Sequence, residues 1–276
     1  ARVLLSTAMS GKRLYFGIPL GSTDFWIAEE AWASVQGSVD EEDMKGNRCW
    51  LSLDLSKKND LTALSVCWID DQRQLHVKTF YWTTQSGLAD RAKADHAPYE
   101  QWVADGFLTA VPGAVIDKTY VAAEVQRICA EHDVEFLAFD PAGMADFIAA
   151  CEQIGFPVWR YKSPDEPEGK GLKLVSHAQG KLVRFEDKQL TMPRSIERLE
   201  DRILTRTVAI DSSPVTYSCA ANAHTEADGQ GNRMFDKNRS RGRIDGMVTI
   251  AMAVGAADNE MSPPKPPPSY RMFVLG

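Results

Sequence analysis

Cysteine patterns that bind metals or form disulfide frameworks are missing from this 276-residue chain. Its five cysteines, Cys49, Cys67, Cys129, Cys151 and Cys219, are scattered, and none sits in a CxxC or a Cys/His cluster. That excludes a zinc site of the usual spacing, and an odd set of dispersed thiols suits a reducing compartment. No apolar run approaches the ~18 residues of a membrane span, and no secretory signal is visible. Positive charge is in short supply: 31 Lys and Arg face 38 Asp and Glu, a net charge of −7. A chain so balanced is not held on a polyanion by its overall field, although a local basic patch could still act there. The phosphate-cradling loop G-x-x-x-x-G-K-[ST] is absent too: around Gly11-Lys12, Ser6 stands where the first glycine belongs and Arg13 replaces the hydroxyl residue. What is present is a composition 44% hydrophobic and 25% charged, enough for a sizeable core.

Residues 1–48 have no clean period, apart from a short helix expected near Phe25 to Val35, and read as a lead-in. From Cys49 the pattern sharpens. Leu51, Leu53 and Leu55 alternate with Ser52, Asp54 and Ser56, so 49–56 is a strand, followed by strands at 62–69 and 74–83 joined by short polar turns. Three such strands in succession make an antiparallel meander. Helices are expected at 98–104 and 120–131, with a short strand at 107–111 between them. The apolar run Phe136-Leu137-Ala138-Phe139 is a buried strand that leads through Asp140-Pro141 into a helix at 142–154. A strand at 156–161 and a Pro/Gly/Glu-rich loop at 163–171 come next. Helices are expected at 172–187, 194–206, 214–223 and 244–257, with a turn at 227–232. The proline-rich stretch from Ser262 to Ser269 cannot join a core. This order describes an α/β fold, a mixed sheet with helices on its faces.

Three acids recur at element ends against apolar sequence. Asp54 lies on the first strand, Asp140 ends the buried strand, and Asp245 opens the last helix. Each has an ordinary explanation: a solvent-facing strand position, a helix cap before proline, and a first-turn acid complementing the helix dipole. Together they suggest more, because clustered carboxylates repel unless a cation compensates, and Mg²⁺ or Mn²⁺ favours oxygen ligands of this kind. Spacing alone does not establish that the three meet.

From about Trp26 onward the chain resembles the nuclease domain of the tailed-bacteriophage terminase large subunit. The resemblance rests on Leu53-Asp54-Leu55-Ser56 with Asp60-Leu61-Thr62-Ala63-Leu64, on Pro98-Tyr99-Glu100-Gln101-Trp102, and on Phe139-Asp140-Pro141-Ala142. Ser213-Pro214-Val215, Gly231-Asn232 and the run from Lys237 to Val248 continue it in order. It implies a ribonuclease H-like fold, with a mixed β-sheet, an antiparallel opening meander and helices on both faces. It also implies catalytic, metal-binding roles for Asp54, Asp140 and Asp245, two divalent ions (Mg²⁺ or Mn²⁺), and endonucleolytic cutting of concatemeric double-stranded DNA by two-metal hydrolysis. The division that follows is 1–48 as the lead-in from a missing N-terminal ATPase domain, 49–258 as the nuclease domain, and 259–276 as a proline-rich tail. Terminase small subunit, portal and prohead are the partners implied for the full-length protein, working in the host cytoplasm during phage assembly, with no membrane involved.

Arg233, Lys237, Arg239, Arg241 and Arg243 form a basic run ahead of Asp245, expected to touch the DNA backbone. Asp60, Asp146 and Asp228 are candidate auxiliary ligands, and His177 and His224 candidate cleft residues, each with a plainer structural role available. Two other readings compete: a ribonuclease H-like nuclease of transposase or resolvase type, and a catalytically silent module docking the packaging motor to portal or capsid.

Overall fold

In the computed structural model the described residues are 26–55, 60–181, 190–237, 239–240 and 242–261. The proline-rich tail, residues 1–25 and Arg241 lie outside them.

Strand β2 (Arg48–Asp54) organises the sheet because it has a neighbour of each kind. On one side it pairs antiparallel with β3 (Thr62–Ile69), which pairs antiparallel with β4 (Leu75–Thr84); this is the expected meander. On the other side it pairs parallel with β6 (Asp133–Phe139), in register Leu53↔Phe139 after one shift at Cys49/Trp50. The full order is β1-β10-β4-β3-β2-β6-β8-β7. Here β1 is Gln36–Gly37, β7 Val158–Arg160, β8 Leu172–Ala178 and β10 Val208–Asp211. The short β5 (Thr109–Val111) adds to β4, and β9 (Leu190–Thr191) to β8.

Alternation along β2 divides two cores. Cys49, Leu51 and Leu53 pack with the buried faces of the helices Lys118–Glu131 and Met144–Gln153. Trp50 joins the opposite core, where the helices Met192–Leu204, Pro214–Asn222 and Asp245–Met261 lie. In chain order the helices are α1 (Glu29–Val35), α2 (Leu88–Ala94), α3 (Tyr99–Ala104), α4 (Lys118–Glu131), α5 (Met144–Gln153), α6 (Met192–Leu204), α7 (Pro214–Asn222) and α8 (Asp245–Met261). Helix α1 and strand β1 belong to the same packed body: Trp32 is fully buried, and Gln36 registers with Ile210.

The serine face of β2 is not solvent-exposed; α8 covers it. Ser52 Oγ donates to the Thr249 carbonyl at 2.6 Å, and Ser65 Oγ donates to Thr249 Oγ1 at 2.8 Å while sharing a 2.9 Å bond with Thr79. Hydroxyls buried beneath a helix are tolerable because each finds a partner. Small residues on α8 permit the close approach. A Cβ on Gly246 would lie 2.1 Å from the Tyr81 hydroxyl oxygen, and one on Gly255 2.0 Å from Ser195 Oγ. A helix buried nearly all round in this way needs no polar face.

Two expectations change. Residues 172–178 form strand β8, not the start of a helix, because Leu172, Leu174 and His177 are buried in a strand flanked by β6 and β7. Strand β10 was hidden because its four residues, Val208-Ala209-Ile210-Asp211, follow α6 after a short turn. The expected turn at 227–232 joins a small hairpin, β11 (Thr225–Ala227) with β12 (Arg233–Phe235).

His177 is buried on β8 with Nε2 2.8 Å from Ser195 Oγ, and burial pushes its pKa down from 6.5 to about 4. The unfolded chain therefore takes up this proton near pH 6.5, whereas the folded chain resists it until about 4. Stability from this group is intact above 6.5 and falls as pH drops through that window. Urea titrations at pH 7 and pH 5 are expected to show about 2 kcal/mol more acid destabilisation in the wild type than in His177→Gln.

Candidate active site

Asp54 is the last residue of β2, and Asp140 follows the last residue of β6. The two strands are parallel neighbours, and Leu53↔Phe139 is their final registered pair. Asp54 and Asp140 are thus the next residues along, side by side at the carboxyl edge, the end of a parallel pair where ligand sites form. Asp245 opens α8, whose seat on β2 and β3 brings its first turn over the same edge.

Asp54 and Asp245 are 8% and 2% exposed, and one ammonium group joins them. Lys237 Nζ lies 3.1 Å from Asp54 Oδ2 and 2.9 Å from Asp245 Oδ1. Burial raises the pKa of Asp245; the Lys237 charge opposes the rise and the Asp54 charge adds to it. Burial pulls the Lys237 pKa down, but the Asp245 and Asp54 charges outweigh it and leave the ammonium above its ordinary range. Asp140 is half-buried, and its Oδ1 accepts the Ala142 backbone N–H at 3.1 Å. Helix α5 starts only at Met144, behind Gly143 in the left-handed region, so Asp140 is not its cap.

Beside this pair, Arg243 closes a second charge cluster. Its Nε donates to Asp95 Oδ2 at 2.8 Å and its Nη1 to Asp60, while the Tyr99 hydroxyl donates to Asp95 at 2.7 Å. Burial lowers the Arg243 pKa, and the Asp95 bond overcomes that and holds it raised. Asp60, Asp95, Lys237, Arg243 and Asp245 line a cavity of about 140 Å³. Four carboxylates surround two cations here, so the seat is electronegative.

A divalent cation suits this donor set. Asp245 Oδ2 is buried with no hydrogen-bond partner among the described residues, an acceptor of the kind a hard cation takes. The ammonium between Asp54 and Asp245 already shows that a positive charge belongs there. Among the described residues, no three His, Cys, Asp or Glu side chains gather closely enough to form a metal cage on their own.

The other candidates resolve individually. Arg233 forks onto Glu200 at 2.7 and 2.5 Å, tying β12 to α6. Arg243 and Lys237 are likewise engaged by acids of the same chain, whereas Arg239 beside Asp236 keeps 74% of its side chain exposed. Asp228 caps its own turn through the Gln230 and Asn232 N–H groups, and Asp146 sits in the first turn of α5. Buried His177 serves the fold, and the backbone carbonyl of His224 accepts from Asp236 N. Asp95 escaped the sequence reading altogether. It lies in the polar run Arg91-Ala92-Lys93-Ala94-Asp95-His96, and its partner is 148 positions away.

Arg243→Met is expected to cost roughly 2–3 kcal/mol in urea unfolding, because it strands Asp95 at 11% side-chain exposure. Arg243→Lys should recover only part of that, since an ammonium cannot reproduce the two-acid fork.

Residues 12–162, more than half of the chain, match the family described as "Terminase large subunit, endonuclease domain". The terminase large subunit of Enterobacteria phage HK97 is 37% identical over 216 residues, which is 78% of this chain and 38% of that protein. The crystal structure of the HK97 bacteriophage large terminase superposes with a TM-score of 0.70 at 33% identity, over 84% of this chain and 43% of that one. More distantly, the large terminase nuclease of thermophilic phage G20c, solved with bound magnesium, gives a TM-score of 0.42 at 12% identity, over 75% of this chain and 80% of that one. This chain therefore spans less than half the length of the HK97 protein it matches.

Proposed function

The chain belongs to the family of terminase large-subunit endonuclease domains, and from that premise we propose that it cuts double-stranded DNA by metal-dependent phosphodiester hydrolysis at the carboxyl edge of β2 and β6. One observation carries the assignment to this place: two buried carboxylates, Asp54 and Asp245, face one another across a single positive charge. Stability alone does not favour such a pair, since each charge must be desolvated.

Asp54, Asp140 and Asp245 are the residues that would hold Mg²⁺ or Mn²⁺. Two such ions, when bound, supply the Lewis acidity that stabilises the attacking and leaving oxygens of the phosphodiester. The protein's own contribution is positional. The β2–β6 register sets Asp54 beside Asp140, the seat of α8 fixes Asp245, and Arg243 bridges Asp60 and Asp95 at the rim. Among the described members of the basic run, Arg239, with its exposed guanidinium, is the one best suited to meet the DNA backbone, with Arg233, Lys237 and Arg243 adding to the local positive field; Arg241 lies outside the described residues. The described residues hold no helix long and apolar enough to cross a membrane. In a longer protein, this part would cut concatemeric viral DNA in the host cytoplasm, while small subunit, portal and prohead determine where and when.

The test is cleavage of supercoiled plasmid with Mn²⁺, Mg²⁺, Ca²⁺ or EDTA, comparing wild type with Asp54→Asn, Asp140→Asn and Asp245→Asn. Nicking and linearisation with Mn²⁺ or Mg²⁺ are expected, each substitution lowering the rate by roughly a hundredfold or more with the circular-dichroism spectrum unchanged. Full activity in all three variants would remove these residues from the site.

A further inference from the structure

Lys237 is charged, partly exposed and placed where a ligand would go, and its position has a consequence for metal loading. Its ammonium occupies the approach between Asp54 Oδ2 and Asp245 Oδ1 at 3.1 and 2.9 Å, too close for a divalent ion to share both oxygens with it. We propose that Lys237 is a resident counter-ion of the acid pair, which a divalent ion displaces when it binds. The inference rests on the metal-dependent reading above.

Three features distinguish Lys237 from an ordinary structural ion pair. First, it leaves the seat under-neutralised: two carboxylates share one positive charge, and Asp245 Oδ2 stays buried without a partner among the described residues. A divalent ion would match the charge that one ammonium only halves. Second, the ammonium can leave. Its side chain is 43% exposed, while the carboxylates of Asp54 and Asp245 are 11% and 3% exposed, so the cation can swing outward without disturbing either acid. Third, the neighbouring cation cannot take its place. Arg243 is engaged by Asp95 and Asp60, with Tyr99 also donating to Asp95, and its rigid fork suits that bonding. A lysine, with a flexible stem and a compact charge, is the residue that can exchange.

Displacement keeps the seat balanced: one positive charge leaves, two arrive, and the freed ammonium stays at the rim. Metal affinity in the wild type is then the intrinsic affinity of the carboxylates reduced by competition from their own counter-ion, an intramolecular case of ligand linkage.

The test measures metal binding directly. Calorimetric titration of Mn²⁺ into the full chain is expected to give a Kd about tenfold lower or more for Lys237→Met than for wild type, with Lys237→Arg no tighter than wild type. The metal-free Lys237→Met protein should melt lower than wild type and gain more from Mn²⁺. Should that variant not fold without metal, a measurement on the wild type decides: the Lys237 side-chain NH₃⁺ resonance, identified by its loss in Lys237→Arg, should be protected in metal-free protein and lost to exchange at saturating Mg²⁺. Mn²⁺ binding by Lys237→Met equal to or weaker than wild type, or a Lys237 resonance unmoved by Mg²⁺, overturns the proposal and leaves the metal-dependent reading standing. Absence of Mn²⁺ binding in every variant and in the wild type overturns both.

Discussion

Two carboxylates brought face to face under a helix can stay ionised only if positive charge lies between them. Much of the site follows from that constraint. Asp54 is fixed by the strand that pairs with both β3 and β6, and Asp245 by the packing of α8 across that strand. Both are buried where they stand, Asp54 at the end of β2 and Asp245 in the first turn of α8. The protein meets the repulsion with an ammonium from a connecting segment, a cheaper means than remodelling the sheet. The two acids stand on rigid elements and the balancing charge on a more adaptable one.

The arrangement also explains why the hydroxyl face of β2 exists. A helix as small-sided as α8 approaches closely enough that bulky apolar residues would not fit beneath it, and Ser52, Ser65 and Thr79 fill the space while bonding to one another and to Thr249. The polar alternation in β2 that reads like a solvent-facing strand is a buried one whose partners lie almost 200 positions away. Composition along a strand reports polarity, and polarity has two origins: water on one side, or a tightly seated helix.

The local rules made some of this legible. The Leu51-Leu53 alternation, the apolar Phe136–Phe139 run and the small-residue helix from Asp245 each have a period or a length that only one element satisfies, and all three formed as expected. Asp54, Asp140 and Asp245 stood out because each is a charge set into such a run. What stayed hidden was what depends on distant partners. In β8, Leu172 and Leu174 carry a period of two too brief to exclude a helix, and neighbouring strands decide the outcome. Asp95 sits in a polar stretch where a charge is unremarkable, and Lys237 reads only as one cation of a basic run; their pairing with Arg243 and with Asp54 depends on residues from elsewhere in the chain. Of the basic run ahead of Asp245, Arg233, Lys237, Arg239 and Arg243 each lie against a carboxylate of their own chain, a pairing that a string of clustered cations does not announce.

Gly246 immediately follows Asp245, and its Cα faces the Tyr81 hydroxyl so closely that even a methyl group has no room. Tyr81 cannot simply yield, because its hydroxyl is bonded to Thr216 Oγ1 at 3.0 Å, and Thr216 in turn donates to Asp211 at 3.4 Å. Positions 81 and 246 therefore form an epistatic pair: a larger residue at 246 is viable only on a background already shortened at 81, and a shorter residue at 81 leaves a void until 246 grows. The side chain that position 246 can carry is thus set from across the fold by the residue at 81.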